Sequence, residues 1–253
     1  MNRTLEEKVV LITGSGSGMG RSHAVLMAER GARVVVHDIH PDRVAETADL
    51  VRAAGSPPYE ICVDMRDTCA LADAIAKTER DYGPIDVLVN NAGIGGQGLA
   101  LGDIDVETFD AMFEVHVRGT FFATQAAISG MKARRTGKIV NISSNFAMGG
   151  CHFASHYAAA KSAISGLTKC WAREFAPFDI TVNAVAPGLL ETNLTLGSIG
   201  RGRIEAMAAE VPLGRIADPV EVSYAVAWLA SAETDFMTGQ VISPNGGVSI
   251  VGI

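Results

Sequence analysis

The sequence has no Cys-x-x-Cys pair and no cysteine–histidine set at zinc spacing, although it holds four cysteines: Cys62, Cys69, Cys151 and Cys170. A disulfide framework or a structural zinc is therefore not what organises the chain, and no metal is expected. Reduced thiols in a cytoplasmic protein are the expectation. Positive charge is in short supply: 21 Lys and Arg stand against 28 Asp and Glu, a net charge of −7. That balance argues against nucleic acid as a partner, because a phosphate backbone needs a basic face. Long apolar runs are missing too. Met1 to Lys8 carries Arg3, Glu6, Glu7 and Lys8, and the run Val9–Ile12 is too short for a signal peptide or a membrane span. No membrane partner is expected. Without internal repeats, low-complexity segments or Pro/Ser linkers, residues 1–253 read as one domain.

What is present is a regular alternation. Hydrophobic residues make up 48% of the chain and charged residues 19%, the balance of a globular protein. Short β-branched runs are expected as strands: Val9–Ile12, Val34–Val36, Ile61–Val63, Asp86–Asn90, Lys138–Ile142, Thr181–Ala186 and Val241–Ser243. Between them lie helical patterns at Gly18–Glu29, Pro41–Ala54, Asp67–Tyr82, Thr108–Lys132, Ser155–Phe175 and Asp218–Ala230. Strands that are apolar throughout belong in a parallel sheet covered on both faces, so the pattern predicts a doubly wound α/β fold of the Rossmann type. Two stretches fit poorly: the glycine-rich Ile94–Gly102, and Leu189–Arg215, where Gly197, Gly200 and Gly202 surround a short helical piece. Both follow strand ends, where ligands bind in such sheets, and are expected to face substrate.

The first strand runs into Thr13-Gly14-Ser15-Gly16-Ser17-Gly18-Met19-Gly20. Glycines let a backbone turn tightly against a pyrophosphate, and the helix that follows offers free N–H groups to it. The spacing is neither the generic G-x-G-x-x-G nor a P-loop. Asp38 ends the second strand, where a carboxylate accepts from an adenosine ribose and repels a 2′-phosphate. No Arg or Lys stands at Ser15, Ser17, Ile39 or His40 to offset it, so NAD is expected over NADP.

Tyr157-Ala-Ala-Ala-Lys161 places a phenol and an ammonium at i and i+4 on one helix face. The ammonium is expected to stabilise the phenolate of a residue whose ordinary pKa is ~10, and so let it exchange an alcohol proton. Ser144 follows a strand and offers a hydroxyl to a substrate oxygen. Its surroundings, Asn141-Ile142-Ser143-Ser144-Asn145, lack the G-x-S-x-G elbow of a hydrolase.

Together these residues make the chain resemble the short-chain dehydrogenase/reductase family over essentially its whole length. The matching set is Thr13-Gly14-x-x-x-Gly18-x-Gly20, Asp38, Asp64, Asn90-Asn91-Ala92-Gly93, Ser144, Tyr157, Lys161, Asn183 and Pro187-Gly188 with Thr192. The resemblance implies a strand order 3-2-1-4-5-6-7 and hydride transfer between NAD and a secondary alcohol or ketone. It makes Tyr157 the general acid/base, with Lys161 also holding the nicotinamide ribose and Ser144 positioning the substrate. Asp64 would meet the adenine amine, with Met65 beside it. Asn91-Ala92-Gly93 would wall the adenosine ribose, and Pro187-Gly188 and Thr192 would hold the carboxamide. Ser17, Met19 and Ile39 complete the expected cofactor set. Many members are homotetramers, built through the two long helices and the C-terminal segment, and the same is expected here.

One position departs from the family pattern: His116 stands where Asn is usual. That Asn helps to hold a water that passes protons to the lysine. An imidazole can donate and accept, so His116 either takes over the relay or is a packed helix residue. His152 and His156 flank Tyr157 in sequence, with a surface or turn role expected; His23, His37 and His40 are expected to be structural or exposed.

Two other functions remain open at this level. One is a 3-oxoacyl-thioester (acyl carrier protein) reductase, for which Arg134 and Arg135 are candidate carrier contacts. The other is a non-catalytic NAD-sensing regulator, although such relatives usually lose the Tyr or Lys. In Leu189–Arg215, Leu190, Leu194, Leu196, Ile199 and Met207 are apolar and Arg201 and Arg203 basic; Phe146, Met148 and Phe153 add apolar bulk. A hydrophobic or mixed substrate is expected. The arginines either meet an anionic tail or are solvated.

Overall fold

The computed structural model describes residues 3–250. Seven parallel strands form one sheet in the order β3-β2-β1-β4-β5-β6-β7. They are β1 (Val9–Ile12), β2 (Arg33–Asp38), β3 (Tyr59–Cys62), β4 (Val87–Asn90), β5 (Gly137–Ile142), β6 (Ile180–Val185) and β7 (Val241–Ile242). The order reverses between β1 and β4, whose register pairs Val10 with Val87 and Ile12 with Val89. A crevice opens beyond the carboxyl ends of the strands at such a reversal.

The strands are apolar throughout because both faces are covered. Val10, Ile12, Val34 and Val36 pack into one core layer with α1 (Gly18–Glu29) and α2 (Pro41–Ala53). Val9, Leu11, Leu88 and Ile139 pack into the other, against α3 (Thr68–Asp81). Completely buried side chains such as Leu71, Ile75 and Met131 each contribute roughly 1.5–3 kcal/mol of transfer free energy. Asp67 caps α3 by accepting from the Ala70 N–H at 3.0 Å.

Helical bounds differ from expectation in two places. The long helix expected from Thr108 to Lys132 begins at Val106 and is not continuous. It runs as α4 (Val106–Phe113), a π-helical stretch over Glu114–Gly119, and α5 (Thr120–Arg134). The π stretch adds a backbone step that re-aims the residues on it, among them His116. Beyond β5, a short α6 (Phe146–Gly149) precedes α7 (Ser155–Phe175), whose bounds agree with the sequence reading. After β6, Leu189–Arg215 holds two helices rather than one short piece, α8 (Asn193–Ile199) and α9 (Arg201–Ala209). Gly200, at φ +75°, ends the first and starts the second. The last helix, α10 (Pro219–Ala230), opens with a capping box between Asp218 and Glu221. Among the described residues no helix is long and apolar enough to cross a membrane.

Candidate active site

A cavity of about 910 Å³ occupies the carboxyl edge of the sheet, running from the glycine turn after β1 to the helices after β6. Every residue expected to act on substrate or hold the cofactor lines it. Gly14, Ser17, Gly18, Met19 and Gly20 line its middle, and Asp38, Ile39, Asp64 and Met65 the end beside β2 and β3. Asn91, Ala92 and Gly93 lie between, and Ser144, Tyr157, Lys161, Pro187, Gly188 and Thr192 close the other end. His116 lines it as well.

The turn after β1 is tied to its neighbours. The Thr13 hydroxyl accepts from the N–H groups of Asn91 at 3.0 Å and Ala92 at 3.1 Å. The Asn91 amide returns bonds to the carbonyls of Thr13 and Gly14 at 2.9 and 3.0 Å. Gly14 sits at φ +65°, and a methyl group there would stand 2.7 Å from Ala92 Cα, so no larger residue fits. Ser17 gives α1 no side-chain cap, and the first turn of α1 has no acidic residue. Its unpartnered N–H groups therefore suit an anion, and these residues fit the pyrophosphate of a dinucleotide.

At the end beside β2 Asp38 is buried. It accepts from the Gly16 N–H at 3.2 Å and the His40 N–H at 3.1 Å. Asp64 accepts from the Arg66 backbone at 2.9 Å and its guanidinium at 2.6 Å, which holds the carboxyl below its ordinary pKa. His37 is buried against this wall; its Nδ1 accepts from the Gly14 N–H at 3.2 Å, and burial pushes its pKa down to about 4. Two basic groups at this end escaped the sequence reading. Arg21 is spent on Glu46 at 2.7 Å, whereas Arg43, on the first turn of α2, borders the same cavity. Its place two residues into the helix that follows Asp38 was the available signal.

At the other end Lys161 is buried and donates to the Ile142 carbonyl at 2.8 Å, and desolvation lowers its pKa to about 7. Its Nζ lies 5.8 Å from the centre of the Tyr157 ring. Burial raises the Tyr157 pKa, with the Ser144 hydroxyl pulling the other way. In the free protein the net shift of this phenol is upward, because burial dominates and the neighbouring ammonium is itself disfavoured by desolvation. The Ser144 hydroxyl accepts from the Phe146 N–H at 3.2 Å, and α6 starts there.

His116 is buried on the π-helical stretch. Its Nε2 lies 3.0 Å from the Ile94 nitrogen and 2.9 Å from the Ile94 oxygen. Its Nδ1 has no partner among the described residues. Burial, with Lys161 nearby, pushes its pKa well below the ordinary value. The ring also fills the space beside Gly93, where a side chain would collide with it. His156, expected at a surface or turn, is instead buried, with neither ring nitrogen partnered among the described residues. His152 stays exposed. Asn183 ties β6 to the segment leading into β7, accepting from the Gln240 N–H at 3.0 Å and donating to the Met237 carbonyl at 2.7 Å.

A parallel sheet in this order, with a glycine turn at its reversal and a Ser–Tyr–Lys set at the same edge, defines a Rossmann-type, NAD(P)-dependent oxidoreductase acting on an alcohol or ketone. The family model described as enoyl-(acyl carrier protein) reductase matches residues 14–249. The 3-oxoacyl-[acyl-carrier-protein] reductase of Thermotoga maritima is 40% identical, across 97% of this chain and 99% of that protein. Cis-4-hydroxycyclohexanecarboxylate dehydrogenase of Sinomonas cyclohexanicum is 36% identical, across 99% of this chain and 100% of its own. A solved 3-oxoacyl-[acyl-carrier protein] reductase with bound NAD from Brucella melitensis superposes with a TM-score of 0.90 at 34% identity, covering 99% of this chain and 94% of that one. The chain belongs to the classical short-chain dehydrogenase/reductase family.

Proposed function

We propose that this protein is an NAD-dependent dehydrogenase that interconverts a secondary alcohol and its ketone. The observation that carries the reading is the convergence of buried Ser144, buried Lys161 and half-buried Tyr157 at the end of the cavity remote from Asp38. The nicotinamide, when bound, takes or gives the hydride. Tyr157 takes the alcohol proton through its phenol oxygen, and Ser144 offers a hydroxyl that orients the same oxygen. Lys161 balances the phenolate: a proton on the amine and a charge on the phenol relieve each other's desolvation. Pro187, Gly188 and Thr192 border the nicotinamide end. Thr192 also caps α8 by accepting from the Thr195 N–H at 3.1 Å.

Asp38 supports NAD over NADP, because a buried carboxylate fixed by two backbone donors repels a 2′-phosphate. Residues 189–215 are the substrate region of a single domain in this reading. Reduction of an acyl-carrier thioester is the second reading, favoured by the Thermotoga maritima relative. The two candidate carrier contacts do not help it. Arg134 donates to the Ile85 carbonyl at 2.7 Å and Arg135 pairs with Asp179 at 3.1 Å. Both lie beside the amino ends of the strands, opposite the cavity. The regulator reading has little support, since all three catalytic side chains are in place. Free thiols at Cys62, Cys69, Cys151 and Cys170 fit the cytoplasm. The exposed Val106 and Phe109 on α4, and Phe121 on α5, fit a homotetramer assembled through these helices.

The test is multi-turnover formation of NADH from NAD⁺ with a panel of secondary alcohols, run beside NADP⁺. Turnover preferring NAD⁺ is expected. A preference for NADPH with a 3-oxoacyl thioester would establish the second reading instead. Binding of NADH with no turnover of any alcohol, ketone or thioester would leave a regulator.

A further inference from the structure

Two arginines stand on the first turn of α9, and the structure separates them. Arg201 is exposed and pairs with Glu191 at 3.6 Å. Arg203 has no acidic partner within ion-pair distance among the described residues. It is nevertheless held in place. Its Nη1 donates to the Gly98 carbonyl at 3.1 Å, and its guanidinium lies over the Phe153 ring, 4.8 Å from the centre. Gly98 and Phe153 both line the cavity, as do Ile199 and Met207 one turn to either side; Arg203 itself is exposed and stands against these residues at the cavity's edge. From Phe153 an aromatic wall leads back to the reaction centre: Phe153 meets Phe146 at 5.8 Å, and Phe146 meets Tyr157 at 6.3 Å, both edge-on.

We propose that Arg203 recognises a carboxylate on the substrate, so that the protein acts on cyclic or aromatic secondary alcohols carrying an acid group remote from the hydroxyl. The inference rests on the dehydrogenase reading above and names its substrate class. A guanidinium carries five N–H donors in a planar fork, and the Gly98 carbonyl occupies one nitrogen. The rest remain for a carboxylate, which such a fork binds bidentately. Stacking on Phe153 and the bond to Gly98 fix the plane in advance, which reduces the ordering cost of binding. Charge also gives the pocket a direction. Glu210 borders the cavity past the end of α9, about 10 Å along the helix axis from Arg203 at 1.5 Å per residue. An anionic tail is drawn towards Arg203 and repelled from Glu210. The edge-on aromatic pairs between Arg203 and Tyr157 suit a ring in the body of the substrate.

Two measurements on the full chain test this. The first compares kcat/KM with NAD⁺ for 4-hydroxycyclohexanecarboxylate and for its primary amide. The second compares binding of cyclohexanecarboxylate and cyclohexanecarboxamide to the NADH complex by calorimetry, which does not depend on turnover. The acid is expected to be favoured over the amide by about tenfold or more in both, the range of a charge-assisted bidentate pair. Arg203→Gln should bring acid and amide to near equality, chiefly through KM, while Arg201→Gln keeps the preference. Equal handling of acid and amide by the wild type, or a preference that survives Arg203→Gln, would overturn the proposal. Calorimetric preference for the acid without any turnover would support the Arg203 site and count against the dehydrogenase reading.

Discussion

The imidazole of His116 stands edge-on to the Tyr157 ring, with 5.5 Å between centres and a 90° angle between planes. The same imidazole holds the backbone of Ile94 through Nε2. It therefore packs against the Tyr157 ring and holds the loop after β4. Its pKa lies well below the ordinary value, so it stays neutral through the working range and does not titrate there. His116→Asn should keep the reaction and leave the shape of the pH–rate profile unchanged. His116→Leu should leave the Ile94 backbone unpaired and cost about 1–3 kcal/mol of stability. Thermal unfolding and the pH dependence of kcat check both. A step near pH 6.5 that disappears in His116→Asn would instead make His116 a titrating relay.

Lys161 carries a stability cost that catalysis explains. Its folded pKa of about 7 lies below the unfolded value of 10.5. As pH falls from 10.5 towards 7 the unfolded chain binds a proton that the folded chain refuses, so stability falls across that window. Lys161→Met should abolish turnover and yet raise the melting temperature by a few degrees at pH 8. The gain is set by the desolvation removed less the lost bond to Ile142. An unchanged or lower melting temperature would show that the buried amine is not penalised.

Buried neutral histidines make the protein acid-sensitive. His23 is pushed down to about 3 and His37 to about 4, both from 6.5. Their folded pKa values are depressed, so between pH 6.5 and about 4 the unfolded state binds two more protons than the folded state at these sites alone. Stability is full above pH 6.5 and declines on acidification by roughly 1.4 kcal/mol per pH unit for each histidine. His156 acts in the same direction. Urea unfolding at a series of pH values reads the slope; a flat profile between pH 6.5 and 4 would contradict the burial of these rings.

The position of Arg43 makes the effect of Asp38 sharper than the sequence suggested. Asp38→Ala removes the repelling carboxylate and leaves a cation beside the cavity. The NADP⁺/NAD⁺ ratio of kcat/KM should then rise by about tenfold or more. Asp38→Ala combined with Arg43→Ala should give back part of that gain. A ratio unmoved by Asp38→Ala would remove Asp38 from cofactor selection.

Much of this was legible because the signals are local. Regular alternation implies the doubly wound sheet and the family resemblance its strand order, and the glycine turn, Asp38 and the Tyr157–Lys161 pair lie within short segments. The bounds of α1 and α7 agree with the sequence reading because apolar spacing and a flanking glycine or strand mark both ends. The π-helical stretch around His116 left no trace in periodicity, since one added backbone step does not break an apolar stripe. Three glycines at 197, 200 and 202 obscured α8 and α9, whose faces are set by the loops they cover. The burial of His156 had a sequence sign that was passed over: it lies i and i+4 from Ala160, on the buried side of α7. The partnership of Asp64 with Arg66, and the isolation of Arg203 from every acid described, are properties of three-dimensional neighbours.

The most direct test of the account is the rise of the NADH absorbance band when the wild type and Tyr157→Phe are each given NAD⁺ and 4-hydroxycyclohexanecarboxylate or another secondary alcohol that supports turnover. The two proteins should bind NADH with similar affinity, and the variant should lose about 10²-fold or more in kcat, the share of a general acid/base. Equal turnover by the two would contradict the assignment of Tyr157, and with it the chemistry proposed for this cavity.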